Sequence, residues 1–101
     1  MDLCYFKDHI CEELDGAKDY IKQAMEIKAM NPTWTKTLTQ MSAEELGHAA
    51  NLYSMFMEYY NIIEKSYGVE NVPEYITEMK EEVSEMYTKK SAKVRYLHDM
   101  I

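Results

Sequence analysis

Residues 40–53 read QMSAEELGHAANLY, and the centre of this stretch, Glu45-Leu46-Gly47-His48, places a carboxylate and an imidazole three residues apart. On a helix, positions i and i+3 share a face. The neighbours show what kind of face it is. Alternating steps of three and four from Glu45 give Leu38, Met41, Glu45, His48, Leu52, Met55, Tyr59 and Ile62. This is a heptad seam, apolar everywhere except at its two central positions. A carboxylate removed from water is costly unless it is paired, hydrogen-bonded or bound to a metal. One cation would satisfy both polar members of the seam.

A second stripe matches the first. Leu3, Phe6, Ile10, Glu13, Ala17, Tyr20, Ala24 and Ile27 repeat the same steps, again with one carboxylate in an apolar line. A flanking strip of Cys4, Cys11, Leu14, Ile21 and Met25 widens the apolar face, which suits a helix packed on more than one neighbour. The pattern predicts a first helix over 2–30. Asn31-Pro32 then supplies a helix cap and a first-turn proline, opening a second helix over 32–67. Its start, TWTKTLTQ, is rich in β-branched residues and weak in helix propensity, yet Leu38 and Met41 keep the heptad phase. Ser42-Ala43-Glu44-Glu45 also has the form of a capping box, in which Ser42 would open a fresh helix; the unbroken phase favours a continuous one. Gly68 reads as a helix end and Asn71-Val72-Pro73 as the next start. The third helix, 73–100, carries Ile76, Met79, Val83 and Met86, a disturbance at Lys89-Lys90, then Val94, Leu97 and Ile101. Glu78, Glu81, Glu82 and Glu85 read as a solvated face, and His98 as exposed.

Composition agrees with an all-α chain forming a single domain over 1–101. It has 101 residues, with three Gly and two Pro among them and nine Met, and such low Gly and Pro favours helix. The net charge of −7, from 18 acidic against 11 basic residues, disfavours nucleic acid and anionic membranes as partners. No apolar run approaches the ~20 residues that span a bilayer. The start, MDLCYFKDH, lacks a basic segment followed by an apolar one, so the expected location is cytoplasmic. Cys4 and Cys11 would lie about 10.5 Å apart along one helix, too far to pair with each other, and read as free thiols.

A short turn at Asn31-Pro32 makes the first two helices an antiparallel hairpin. Glu13 lies about 18 residues before the turn and Glu45 about 14 after it, so the two carboxylates reach one level. Gly47, between the ligands, suggests close approach of another helix. A carboxylate-bridged two-metal site in a four-helix bundle takes a Glu from each of two helices and Glu-x-x-His from each of the other two. One chain holds half of that set, and the third helix has no second Glu-x-x-His. A twofold dimer would supply two copies each of Glu13, Glu45 and His48.

Glu12-Glu13-Leu14, Tyr20, and Glu44-Glu45-x-x-His48-Ala49-Ala50 together resemble the encapsulated ferritins, half-length members of the ferritin-like superfamily that includes rubrerythrin and bacterioferritin. The resemblance covers residues 9–60 and implies a di-iron ferroxidase centre built between two chains, with dimers able to associate into rings. It implies Glu45 as a bridging ligand, Glu13 and His48 as terminal ligands, and Tyr20 beside the metal. His9, at i−4 from Glu13, is a candidate partner for that carboxylate. The interval between Glu13 and the Glu-x-x-His motif is slightly longer than in that family. KVRYLHDMI at the C-terminus carries no evident peptide for docking into an encapsulin shell.

Carboxylates with one imidazole suit Fe(II), Mn(II) or, less selectively, Zn(II). The implied reaction is oxidation of Fe(II) to Fe(III) by oxygen. The same ligands would also serve a rubrerythrin-like peroxide scavenger. A third reading is a helical assembly module that is not an enzyme and holds a structural metal or none.

Overall fold

In a computed structural model, which describes residues 2–101, the chain folds into α1 (Leu3–Ile27), α2 (Pro32–Tyr67) and α3 (Glu74–Met100), with one 3₁₀ turn, Val69–Asn71, before α3. The helix ends follow local chemistry. The Asp2 carboxylate accepts the Tyr5 N–H at 2.9 Å and starts α1. The Asn31 side chain accepts the Trp34 N–H at 3.1 Å, with Pro32 in the first turn of α2. Gly68, at φ +87°, stops α2 in a backbone conformation that side chains disfavour.

The first helix ends earlier than the 2–30 expected. Residues 28–30 form the turn, and the N–H groups of Met30 and Asn31 both donate to the Ile27 carbonyl, at 3.0 and 2.9 Å. The threonine-rich start of α2 is helical despite its weak propensity, and its hydroxyls bond back along the helix. Thr35, Thr37 and Thr39 donate to the carbonyls of Asn31, Thr33 and Thr35. Helix α2 therefore runs unbroken through Ser42, which starts no helix.

Contacts across the bundle give the helix directions. Phe6 meets Phe56 and Tyr59, Glu13 meets His48, and Thr35 reaches the Ala24 carbonyl. Early residues of α1 meet late residues of α2, so the two run antiparallel. Lys7 pairs with Glu82 at 2.9 Å and Lys90 with Asp15 at 2.6 Å, so α3 runs parallel to α1. The Tyr53 hydroxyl donates to Ser84, and Ser42 meets His98, so α3 runs antiparallel to α2. The result is an up-down-up three-helix rod of 57 × 19 × 16 Å. Its radius of gyration is 16.5 Å, against ~13 Å for a compact domain of about 100 residues.

Ile10, Leu14, Phe56 and Val83 are fully buried in one stretch of the core, and Ile21, Ala24 and Leu97 pack in another. Helix α1 follows its expected seam at Leu3, Phe6, Ile10, Ala17 and Ala24, joined by Leu14 and Ile21 from the flanking strip, while Cys4 is exposed. Helix α2 does not follow its seam. Its buried positions are Ser42, Ala49, Phe56 and Tyr60, each one residue beyond the expected Met41, His48, Met55 and Tyr59. One residue is about 100° of helix rotation. Ser42 and Ala49 are small enough to bring α2 close to α1. Of the longer side chains in the expected seam, Leu38, Leu52 and Tyr59 pack at the edge of the core, while Met55 is 45% and Ile62 65% exposed.

In α3 the buried line crosses the Lys89-Lys90 disturbance through Ser91, between Val83 and Val94. Glu78, Glu81, Glu82 and Glu85 are exposed, as expected. His98 corrects the sequence reading: it is half-buried, with Nε2 2.9 Å from the Ser42 hydroxyl. Both cysteines are free. Among the described residues no helix is long and apolar enough to cross a membrane.

Phe56 stands at the meeting of the three helices and is fully buried. Phe56→Ala should cost ~3–5 kcal/mol and lower the melting temperature by more than about 10 °C, read by circular dichroism.

Candidate metal centre

Midway along the rod, α1 carries Glu13 and α2 carries Glu45 and His48. Each offers one ligand atom, and these atoms lie within 4.8 Å of one another. The antiparallel register puts them at one level, and the one-residue rotation of α2 puts them at the rim of the core rather than inside it. The Glu13 side chain is 28% exposed and that of His48 57%. The three side chains thus converge as the sequence predicts, but the imidazole is more open to solvent than a seam position implies.

Two links fix this level. The Ser42 hydroxyl donates to the Ala17 carbonyl at 2.6 Å, tying α2 to α1 one turn from Glu45. With its proton so engaged, the Ser42 oxygen accepts from the His98 Nε2–H and holds the end of α3 to the same point. Beside them lies Gly16. A Cβ at that position would stand 3.4 Å from Glu45 Oε2, so Glu45 lies directly over bare helix backbone. Anything larger than a methyl group there would displace the carboxylate. Gly47, the glycine singled out from the sequence, has nothing within 4 Å of its would-be Cβ. The close approach is made at Gly16 instead. Its signal in the sequence was a mid-helix glycine one turn from Glu13.

Two residues expected at the site make no hydrogen bond to it. Tyr20 is half-buried on α1, and among the described residues no hydrogen bond joins its hydroxyl to the cluster. His9 turns away from Glu13: its Nδ1 lies 3.7 Å from Glu12, and its ring packs on Tyr5 with centroids 4.2 Å apart.

The electrostatics of the cluster are strained. Glu13 Oε2 is shut off from water and has no hydrogen-bond partner; His48 Nδ1 stands 3.5 Å away without forming a hydrogen bond. A buried carboxylate oxygen left in this way is costly. Glu45 is held above its ordinary pKa, first by sharing a proton with Glu13, then by burial and by the negative charge of Glu13; His48 opposes the shift. Two carboxylates crowded at one point resist both being ionised. A divalent cation would remove that conflict by offsetting both negative charges and supplying the partner that Glu13 Oε2 lacks. Two oxygens and one nitrogen fit Fe(II), Mn(II) or Zn(II) and leave coordination positions for further ligands. Set against known protein families, characterised proteins and solved structures, the chain matches none of them.

The raised pKa of Glu45 gives a signed prediction for metal-free protein. A carboxyl whose pKa is raised by folding stabilises the fold below its ordinary value of 4.5, and that contribution is lost as pH rises through the raised value. Glu45→Gln keeps a permanent donor toward Glu13. In chelator, the melting temperature of Glu45→Gln minus that of wild type should be smallest below pH 4.5 and widen toward neutral pH. Added Fe(II) or Zn(II) should raise the wild-type melting temperature and leave that of Glu45→Gln almost unchanged.

Proposed function

We propose that this chain is a ferritin-like iron oxidase whose metal centre is completed by a second copy of itself. The observation that carries the reading is the convergence of Glu13, Glu45 and His48 within 4.8 Å around a carboxylate oxygen without a partner. The likeness of the Glu13, Tyr20 and Glu45-x-x-His48 pattern to the encapsulated ferritins points the same way. Iron is the substrate. The two carboxylates hold Fe(II) and favour Fe(III) more strongly, because their attraction grows with the charge of the ion. His48 completes each half of the site with a neutral nitrogen donor. Two Fe(II) lose one electron each, and one O2 takes both electrons with two protons to leave as hydrogen peroxide.

One chain offers three protein donors, and a twofold pair offers six, the number that a carboxylate-bridged two-metal site in a helical bundle uses. The second copy therefore belongs to the chemistry as well as to the assembly. Tyr20, two turns from Glu13, is the residue on α1 that the family likeness offers for supplying a further electron.

The reading is tested by anaerobic Fe(II) titration followed by oxygen uptake. Glu45→Ala and His48→Ala should each lose at least about tenfold in iron-stimulated uptake, with helicity retained, since losing even a residue that only supports a metal ligand typically costs about 10–100-fold. Wild-type rates in both variants would sink the proposal. Faster consumption of hydrogen peroxide than of O2 would replace it with a peroxide scavenger. An unchanged melting temperature on adding Fe(II), Mn(II) or Zn(II) would leave only the assembly module.

A further inference from the structure

A hollow of about 490 Å³ lies between α2 and α3, lined by Ala50, Tyr53, Ser54, Met57 and Glu58 of α2 and Tyr87 of α3. It is on the far side of α2 from the metal centre. Ala50, Tyr53 and Met57 follow His48 by two, five and nine residues, which is about 140–200° around a helix that turns ~100° per residue. The hollow falls within the ~300–1,000 Å³ of small-molecule pockets, which are walled mainly by apolar and aromatic side chains with a few polar groups.

Its two tyrosine rings stand at 82° to each other with centroids 4.2 Å apart, so they form a corner rather than a stack. The corner is held in place. The Tyr53 hydroxyl donates to Ser84 at 2.9 Å, and the Tyr53 ring packs on the fully buried Phe56 with centroids 6.4 Å apart. A phenol ring carries partial negative charge on its face, and a corner of two such rings attracts a cation from two sides. The Met57 thioether adds a polarisable wall. Glu58 adds a carboxylate, and among the described residues no lysine or arginine lines the hollow. Elsewhere the chain covers such rings itself: the Lys80 ammonium lies 4.7 Å from the centre of the Tyr60 ring, and that of Lys93 5.5 Å from the Tyr96 ring. The net charge of −7 favours a ligand of the same sign as those ammonium groups.

We propose that this hollow binds a small soluble organic cation of the trimethylammonium class, with its methyl groups against Tyr53, Met57 and Tyr87 and its charge toward Glu58. The wall chemistry selects this class. A metal ion needs several oxygen ligands, and Glu58 is the one carboxylate among the lining residues. A methylated ammonium donates no hydrogen bonds and buries apolar surface as well as charge, which suits aromatic walls. The site is separate from the iron chemistry and does not depend on it.

The test is an NMR titration of the full chain with choline chloride, against sodium chloride at equal ionic strength, reading the ring signals of Tyr53 and Tyr87. Saturable shifts of both rings are expected. The neutral isostere dimethylbutanol, in which carbon replaces the nitrogen, should bind at least about fivefold more weakly, the share of affinity that a cation over ring faces supplies. Equal binding of the two would show a plain apolar hollow and overturn the proposal, as would choline leaving both rings unmoved. Glu58→Gln and Tyr87→Leu should each weaken choline binding at least about threefold, while Tyr87→Phe, which keeps the ring face, binds as wild type does. Wild-type binding in both Glu58→Gln and Tyr87→Leu would overturn the assignment of the site. The isostere comparison uses the unaltered chain, so it decides even if Tyr87→Leu fails to fold. Retention on phosphatidylcholine vesicles without binding of free choline would also overturn the proposal, in favour of a membrane surface.

Discussion

Close approach of α1 and α2 is the constraint on which the rest of the molecule depends. Ala17 on α1 meets Ser42 on α2, Gly16 lies under Glu45 and Ala24 meets Thr35, and Ala17, Ala24, Ser42 and Ala49 are fully buried. Small side chains at a helix crossing shorten the distance between axes. That closeness lets the Ser42 hydroxyl reach a backbone carbonyl of α1 and lays Glu45 over Gly16. It also brings the carboxyl groups of Glu13 and Glu45 together, and it leaves Leu38, Leu52 and Tyr59 of the α2 seam at the edge of the core and Met55 and Ile62 exposed. The shape of the core and the chemistry of the cluster share one cause.

Much of this was legible in the sequence. Heptad phase gave three helices, and cap residues such as Asn31 and Gly68 marked their ends. Three- and four-residue spacing brought Glu13, Glu45 and His48 to a common level. The rotation of α2 was not legible. Reading a stripe by its largest apolar residues selects Leu38, Leu52 and Met55, whereas the position nearest α1 belongs to Ser42 and Ala49, which carry little hydrophobic signal. Small residues chosen for proximity look like indifferent ones until the partner helix is in view. The same blindness hid Ser91 in α3 and made Gly47 the more conspicuous glycine.

His98 and His9 were misread for a related reason. Their environments depend on residues far away in the sequence or on local pairing that competes with the intended contact. His98 is drawn in by Ser42, 56 positions earlier. His9 has Glu12 and Tyr5 within a turn of its own helix, and these leave it no need of Glu13. A spacing rule shows which residues share a face, but it does not choose among the neighbours on that face.

The placement of α3 has a consequence for what the hairpin leaves open to water. A bare two-helix hairpin would expose the apolar face that α1 and α2 turn away from the cluster, and a large exposed apolar patch draws other surfaces to it. Here α3 seals one side through Ile76, Val83, Val94 and Leu97 and is pinned at its margins by Lys7–Glu82 and Lys90–Asp15. Exposed apolar side chains remain on α2, at Trp34, Met55 and Ile62, and a few on α3, at Tyr75 and Tyr96. The third helix, which supplies none of the three clustered side chains, thus serves the centre indirectly, by keeping the apolar backs of α1 and α2 dry while leaving Glu13, Glu45 and His48 at the open rim.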